Sequence, residues 1–317
     1  ITESQDGERD TKKGQCLLCE TPAVRYEFME AHEGHYPVAW LCAFLAVSRS
    51  GYYDYRKHQP SQHEQENQEL VKVIKDIHQQ SKQRYGSPRI HKALQARGKD
   101  PSLGRVKRLM RREGIYSIVT PDFKPRVQEE QQPGLPMTNL LKQDPMEITT
   151  INQVWYIDIT YIPTLEGWLF LAGVIDGFSK RMVGYAMADH MRTDLVIQAL
   201  RMAVKHRRPD EGLIHHSDKG SQYTSYAYQA ELATWGMKPS FTGTGACLDN
   251  AFIESFWATL KKELVHQTTF ATREEARAAL FEFIEVFYNR YRLHSSLGYK
   301  SPASFEAFLS TKPLLAA

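Results

Sequence analysis

The chain has 317 residues, 42% of them hydrophobic, so it can bury a substantial core, and its length predicts about two domains. Four cysteines exclude a disulfide scaffold, and no apolar run reaches the roughly 20 residues of a membrane helix. We therefore expect a cytoplasmic protein with no membrane partner. The net charge is only +3, yet residues 51–127 carry 17 Lys and Arg against 8 Asp and Glu. This local excess favours nucleic acid as a partner, and a solvated basic surface is the alternative.

Residues 1–35 are interpreted as an N-terminal extension, and residues 36–60 as a small helical unit, either a helix–turn–helix or a plain hairpin. The extension contains Cys16, Cys19, His32 and His35, a set that could bind zinc. Twelve residues separate the two pairs, as in a Cys2His2 finger, but the two histidines lie closer together than such fingers require. Incidental thiols and helix-end histidines are therefore the simpler interpretation, and zinc stays open.

Residues 61–117 predict three helices with the pattern of a helix–turn–helix DNA-binding domain. The second helix begins at Ser87 and ends at Gly98, and the third begins at Ser102 and stops at Gly114. The third helix is apolar on one side and cationic on the rest, as a recognition helix is, although an arginine-rich surface helix would share this pattern. The residues predicted to contact DNA from this domain are Arg89, Lys92, Arg105, Lys107, Arg108, Arg111 and Arg112.

Residues 118–150 are proline-rich and predict an extended linker, after which the pattern changes to strands. Three alternating segments, "VWYIDITYIPT", "GWLFLAGVIDG" and "SKRMVGYAMAD", predict an antiparallel meander. Helices and short strands then alternate, so that residues 151–309 follow the order βββαβαβαα, with a tail at 310–317. We predict an α/β, ribonuclease H-like core, preceded by the small all-α helix–turn–helix domain.

Three acids occupy the positions that this order would bring together. Asp158 lies in the middle of the first strand, Asp218 just after the fourth, and Glu254 in the penultimate helix. An acid inside so apolar a strand is rarely structural, because burial penalises its charge. Converging carboxylates would repel one another unless cations lay between them, and oxygen ligands favour two Mg2+ ions, with Mn2+ as a substitute. On the penultimate helix we expect Phe252, Ile253, Phe256 and Trp257 to be buried, which would fix the orientation of Glu254.

Other residues near these acids have weaker assignments. Asp176 is interpreted as a turn residue and Asp249 as a helix cap. Lys261 lies two helical turns after Glu254, so it is predicted to contact a DNA phosphate, with a snorkelling lysine as the alternative. The candidate supporting residues, each with an equally simple packing or capping role, are His216, Asn250, Asn289, Arg292 and His294.

The spacing and the surrounding residues together resemble a known family. Between Asp158 and Asp218 lie 59 residues, and between Asp218 and Glu254 lie 35, which is similar to the D,D-35-E pattern of integrases and bacterial transposases. The segments "HHSDKGSQYTS", "DNAFIESFWATLKKE" and "YNRYRLHSSLGYKSP" resemble the second-frame product of IS-three family insertion sequences, as do "YGSPRIHKAL" and "VKRLMRREGI".

The resemblance implies a DNA transposase that cleaves element ends and transfers strands by two-metal phosphoryl transfer. It also implies double-stranded DNA partners, namely the terminal inverted repeats and the target. We further expect an oligomer of at least two chains on DNA and association with the bacterial nucleoid. A non-catalytic DNA-binding regulator and a plain ribonuclease H-like nuclease are the alternatives.

Overall fold

The computed structural model describes residues 21–57, 61–119, 138–144, 146–242 and 250–311. The chain divides into two compact units, Ile1–Leu70 and Val71–Ala317. The division falls inside the helix Gln62–Gln80, whereas the sequence predicts a boundary near residue 61. Most of the predicted helix–turn–helix domain therefore belongs to the same compact unit as the predicted core.

The first unit contains three short helices around a small apolar centre. These helices are α1 (Pro22–His32), α2 (Val38–Phe44) and α3 (Arg49–Lys57). Their buried side chains are Met29, Leu41, Cys42, Leu45 and Tyr52. The hydroxyl of Tyr52 donates to Glu33 across 2.7 Å, and Arg56 pairs with the same carboxylate at 3.0 Å. Residues 22–33 are thus part of a folded unit, which corrects the prediction of a plain extension over 1–35.

The possible zinc ligands of the extension are only partly within the described residues, because Cys16 and Cys19 lie outside them. The ring of His32 stacks on Phe28 at 4.0 Å, and its Nδ1 lies 2.8 Å from the carbonyl oxygen of that residue. This side chain therefore already has a local partner at one nitrogen.

Three helices form the predicted helix–turn–helix arrangement: α4 (Gln62–Gln80), α5 (Ser87–Ala96) and α6 (Leu103–Arg112). The buried apolar residues include Ile74, Ile77, Ile90, Leu94, Val106 and Leu109. The side chain of Ser102 accepts a hydrogen bond from the amide of Arg105, which fixes the start of α6. Gly114 then takes a φ of +64°, a left-handed conformation that favours glycine just after a helix end. Both ends of α6 therefore match the prediction.

The described part of the second unit contains a five-stranded mixed sheet. Its strands are β1 (Val154–Thr164), β2 (Gly167–Asp176), β3 (Met182–Ala188), β4 (Ile214–Ser217) and β5 (Lys238–Phe241). The order across the sheet is β3-β2-β1-β4-β5. The first three strands are antiparallel neighbours, whereas β4 runs parallel to both β1 and β5. This is the sheet of a ribonuclease H-like fold, as predicted.

Helices cover both faces of the sheet. The helices after α6 are α7 (Leu140–Gln143), α8 (Thr193–Arg207), α9 (Ser221–Thr224), α10 (Tyr226–Thr234), α11 (Ala251–Glu263), α12 (Arg273–Phe281) and α13 (Pro302–Thr311). Trp155 and Ile157 of β1 join the core cluster that includes α8, whereas the ring of Tyr156 lies 4.8 Å from Phe252 on α11. Because successive strand residues point to opposite faces, α8 and α11 lie on opposite sides of β1.

Two C-terminal features differ from the prediction. The last helix predicted from the sequence does not stay α-helical, because α12 continues as a π-helix over Glu282–Tyr288. The predicted tail at 310–317 begins inside a helix, since α13 extends to Thr311. Within the described residues, no helix is long and apolar enough to span a membrane.

Much of the predicted linker 118–150 lies outside the described residues, but its C-terminal part contacts the sheet. The carbonyl oxygen of Thr138 accepts from the amide of Phe241, and the amide of Leu140 donates to Ser240 Oγ. The chain therefore runs beside β5 before it enters β1.

Candidate active site

Strand register brings Asp158 and Asp218 to one edge of the β1–β4 pair. In the parallel β1–β4 ladder, Tyr156 pairs with His216. Asp158 comes two residues after Tyr156, and Asp218 comes two residues after His216. Two residues is one full period of a strand, so Asp158 keeps the face of Tyr156, on which α11 packs. In the tight turn after β4, the amide of Gly220 donates to Asp218 Oδ1 across 2.8 Å. A Cβ atom at Gly220 would lie 2.9 Å from the same oxygen, so the missing side chain allows this approach.

Glu254 comes from the first turn of α11. Ile253, Phe256 and Trp257 are buried as predicted, and they fix the rotation of the helix against β1 and β2. The prediction was wrong for Phe252, which is 36% exposed. Its ring instead lies between Tyr156 and the ammonium group of Lys180, which is 3.4 Å from the ring centroid.

The electrostatics of Asp158 indicate that the three carboxylates are neighbours. Burial, followed by the negative charge of Asp218 and with a smaller effect from that of Glu254, raises the pKa of Asp158 to about 7. Burial also raises the pKa of Asp218 above its usual range. Asp218 and Glu254 therefore lie near enough for their charges to act on Asp158, and the shared catalytic role of the three acids remains a prediction.

Two residues at this site were missed in the sequence. The indole N–H of Trp257 donates to Asp158 Oδ2 across 3.0 Å, while Asp158 Oδ1 accepts from the amide of Ile159. The hydroxyl of Tyr223 is buried without a hydrogen-bond partner among the described residues, and burial followed by the charges of Asp158 and Asp218 raises its pKa. The only sequence signal was position: Trp257 comes one helical turn after Glu254, and Tyr223 comes five residues after Asp218.

Gly173 of β2 makes the Trp257 contact sterically possible. It pairs directly with Asp158 across the β1–β2 ladder. A Cβ atom at this glycine would lie 2.8 Å from Cη2 of Trp257, well inside van der Waals contact. The missing side chain therefore leaves the space through which the indole reaches Asp158.

The donor set suits a hard divalent cation, although the side chains are not closed around one. Among the described residues, no group of three or more His, Cys, Asp or Glu side chains is arranged tightly enough to hold a metal ion. The oxygen ligands are nevertheless of the type that Mg2+ prefers, and a cation between them would remove the repulsion that raises the pKa of Asp158. The residues present therefore fit a metal that draws the three carboxylates together.

The predicted supporting residues His216 and Asn250 make contacts within the fold. Hydrogen bonds join His216 Nδ1 to Ser240 Oγ at 2.9 Å and Nε2 to Thr242 Oγ1 at 3.3 Å, so this histidine ties β4 to β5. Asn250 precedes α11, and its Oδ1 is buried without a hydrogen-bond partner in the part of the chain that the structure describes. The predicted cap Asp249 lies outside that part.

Three further candidate supporting residues also make contacts within the fold. Asn289 is buried and exchanges two hydrogen bonds of 3.0 Å with the backbone of Met182 in β3. Arg292 is buried in an ion pair with Glu263, with its Nη2 at 2.8 Å. Burial, followed by neighbouring cations, lowers the pKa of His294 to about 3. The sequence left both a DNA contact and a capping role open for each of them, and their internal contacts do not exclude a DNA contact.

Arg89, which is predicted to contact DNA, also has partners within the fold. Its Nε donates to the carbonyl oxygen of Leu293 across 3.0 Å, and its Nη1 lies 3.9 Å from Glu263. The Tyr85 hydroxyl donates to the carbonyl oxygen of Tyr291 in the same region. The start of α5 therefore packs against the segment that follows α12.

The other predicted DNA contacts are accessible. Lys107, Arg108, Arg111 and Arg112 are exposed on α6, and Arg105 is half-buried. Lys92 is exposed on α5. The ammonium group of Lys261 lies 4.9 Å from the ring centroid of Tyr161, on the helix that carries Glu254. These positions remain predictions as DNA contacts.

Comparison with known proteins identifies two kinds of domain. Residues 149–247 and residues 235–302 each match a model of an integrase core domain. Residues 64–122 match a model of an HTH-like domain. These matches cover the sheet with its helices and the three helices α4 to α6.

Solved structures with distant similarity are viral integrases. The chain aligns with one chain of the simian T-cell lymphotropic virus intasome in complex with PP2A regulatory subunit B56 gamma, with a TM-score of 0.43, at 15% identity, covering 78% of this chain and 76% of that chain. It aligns with the HTLV-2 integrase catalytic core domain in complex with magnesium, with a TM-score of 0.37, at 17% identity, covering 49% of this chain and 96% of that one.

Curated relatives are much more similar and match nearly end to end. The insertion element IS600 uncharacterized 31 kDa protein of Shigella sonnei is 41% identical over 265 residues, covering 84% of this chain and 97% of the relative. Transposase InsF for insertion sequence IS3A of Escherichia coli (strain K12) is 39% identical over 286 residues, covering 89% of this chain and 98% of the relative. With this similarity and both domain matches, the chain belongs to the family of insertion-sequence transposases with an integrase core.

Proposed function

We propose that Asp158, Asp218 and Glu254 carry out the phosphoryl transfers by which this transposase cuts DNA at element ends and joins the freed strand to a second site. The observation that supports the proposal is the parallel register of β1 and β4, which leads Asp158 and Asp218 to one edge of the sheet, together with the hydrogen bond from Trp257, on the helix of Glu254, to Asp158. The raised pKa of Asp158, caused by burial and by the other two carboxylates, agrees with it. Such a cluster, held on two strands and a helix, is costly unless it has a use.

The reaction is an in-line displacement at phosphorus. In cleavage, a water oxygen forms the new P–O bond, the bond to the 3′ oxygen breaks, and the leaving oxygen takes a proton. In strand transfer, the freed 3′-hydroxyl is the nucleophile and a second 3′ oxygen leaves. One set of side chains can serve both steps, because both have the same geometry at phosphorus.

The three carboxylates would hold two Mg2+ ions, with Mn2+ as a substitute, and bound ions of this kind activate the nucleophile and stabilise the leaving oxygen. The protein side chains supply orientation. The indole of Trp257 fixes one oxygen of Asp158, and the turn at Gly220 fixes one oxygen of Asp218. The buried face of α11 determines where Glu254 can reach.

DNA would be held by the basic face of α6, with Arg108 and its exposed neighbours on phosphates and the element's terminal inverted repeats as the recognised sequence. The ammonium group of Lys261 would contact a phosphate close to the reacting bond. Synapsis of two element ends would require at least two copies of the chain, acting at the nucleoid.

A single isosteric substitution tests the assignment. Glu254→Gln should lower strand transfer by about 100-fold or more, because an amide is a poor ligand for Mg2+, while binding to element ends persists. Glu274→Gln is the matched control, since this glutamate is highly exposed on α12. Full strand transfer by Glu254→Gln would refute the assignment. Inactivity of the unmodified chain on labelled ends would favour a DNA-binding regulator, and cleavage without joining a plain nuclease.

A further inference from the structure

A second cavity lies on the side of α11 away from Glu254. Its volume is about 410 Å3, and the lining residues on α11 include Phe252, Ser255 and Thr259. At 3.6 residues per turn these three share one side of the helix, whereas Glu254 and Lys261 project from the opposite side. The cavity is therefore separate from the carboxylate site, and we call it the rear cavity.

Two arginines line the rear cavity, and each guanidinium is held by hydrogen bonds on one edge while another of its nitrogens has no partner among the described residues. Arg292 binds Glu263 through Nε and Nη2, and Arg89 donates through Nε to the carbonyl oxygen of Leu293. Nη1 of Arg292 and Nη2 of Arg89 make no hydrogen bond to the residues that the structure describes. A guanidinium held in this way is pre-organised for an oxygen ligand, because little side-chain freedom remains to be lost.

A third cation and a neutral histidine complete the charge pattern. Lys180 lines the cavity, and burial lowers its pKa to about 8. Burial, followed by the positive charges of Arg292, Arg89 and Lys180, lowers the pKa of His294 to about 3. The three cations therefore converge on one region, where Glu263 pairs with both arginines and the charge of Asp176 acts on Lys180.

The composition of the walls points to a phosphate. Among the described residues that line the cavity there is no carboxylate, and the walls also include the hydroxyl-bearing Ser255, Thr259, Ser295 and Ser296. Forked guanidinium donors with hydroxyl groups nearby are the groups that proteins use for phosphate oxygens. Among the described residues, the three cations outnumber the nearby carboxylates of Glu263 and Asp176, and this excess of positive charge favours the binding of an anion.

A DNA strand is the source of phosphate that the surroundings favour. Arg89 lies in the first turn of α5, and the exposed Lys92 lies one turn further along the same side of that helix. The basic helix α6 packs against α5. A free phosphate ion would need only the cavity, whereas a polyanion can use the cavity and the cations that continue from it.

We propose that the rear cavity binds one backbone phosphate of a DNA strand through Arg89, Lys180 and Arg292, at a position distinct from the reacting bond. This proposal relies on the proposed function only in taking DNA as the source of the phosphate. The cavity then anchors DNA between the helix–turn–helix domain and the core, on the far side of α11 from the chemistry.

The test measures binding of the full chain to a labelled element-end duplex by fluorescence anisotropy, at several salt concentrations and in EDTA. Without divalent metal no strand is cut, so the result does not depend on the carboxylate assignment. The double variant Arg89→Gln/Lys180→Gln should lower the slope of log affinity against log salt by about 1, because one phosphate contact is lost. Lys205→Gln/Lys238→Gln removes the same charge from two exposed positions and should leave the slope unchanged.

A second variant covers the case in which the first does not fold. Ser295 is exposed at the cavity rim, so Ser295→Glu adds a repelling carboxylate without breaking a buried contact, and it should weaken duplex binding about tenfold. Titrations with inorganic phosphate and with thymidine monophosphate distinguish the sources of phosphate. The proposal would be overturned if the double variant kept its salt slope and Ser295→Glu kept its affinity for the duplex. It would also be overturned if the variants bound free phosphate less well but bound the duplex as before.

Discussion

Trp257→Phe removes the N–H group that donates to Asp158 Oδ2 across 3.0 Å while keeping an aromatic ring in the space. A hydrogen bond to a charged group contributes about 1.5–3 kcal/mol, which corresponds to roughly 10- to 100-fold in an equilibrium constant. Loss of a group that orients a metal ligand has an effect of similar size, about 10- to 100-fold, on metal affinity. We therefore expect the Mg2+ concentration that half-saturates strand transfer to rise by about that factor, while the rate at saturating Mg2+ falls much less.

The assay is strand transfer of a labelled element end across a Mg2+ titration, with thermal unfolding measured in parallel. Trp235→Phe is the matched control, because its indole also donates to a carboxylate, that of Glu231 at 3.2 Å, but on the surface. Gly173→Ala should disturb the same contact sterically, since the added Cβ must displace the Trp257 ring. Equal Mg2+ dependence in Trp257→Phe and the unmodified chain would refute the view that the indole positions Asp158.

The other predictions concern stability and DNA affinity. Glu263→Gln should destabilise the fold by about 3–5 kcal/mol in chemical denaturation, because it leaves Arg292 charged and buried, whereas Glu263→Leu combined with Arg292→Met should be close to neutral. His215 and His294 have folded pKa values of about 3 against 6.5, so the unfolded state binds more protons between these values and stability is lost as pH falls through 6.5. At pH 5.5 each should cost on the order of 1 kcal/mol, which denaturation at pH 5.5 and 7.5 can measure, and His294→Gln should reduce that difference. Arg108→Gln should lower the salt slope of duplex binding by about 1 and affect all sequences alike, whereas a loss confined to the element end would indicate a base contact.

Local patterns in the sequence were sufficient for most of the elements that position the site. The alternation in "VWYIDITYIPT" predicts β1 over the residues it occupies, and Ser102 and Gly114 predict both ends of α6. These features depend on neighbouring residues alone. The positions of Asp158 and Asp218 follow from the same local signals once the order of the strands is known.

Long-range pairing accounts for what the sequence could not predict. Glu263 is the last residue of α11, and in the segment "LKKEL" its sequence context indicates an exposed charge. It is nevertheless buried, because Arg292, 29 residues later, forms an ion pair with it. Phe252 continues the apolar stripe of α11, yet it stays partly exposed under Lys180, which comes from the turn after β2. The bond between Trp257 and Asp158 joins residues 99 apart, so no periodicity could indicate it.

The pairing of β1 with β4 changes the meaning of the 59-residue interval between Asp158 and Asp218. The alignment of Tyr156 with His216 decides where the two aspartates meet, and the number of residues between them does not. Residues could be added or removed in the turn Arg208–Gly212 between α8 and β4 without moving either carboxylate. A shift of one residue in the pairing of β4 with β1 would leave the sequence unchanged, yet it would turn Asp218 to the opposite face of the sheet. Relatives with a longer or shorter interval can therefore have an equivalent site, and an insertion scan of this turn could separate conserved geometry from conserved length.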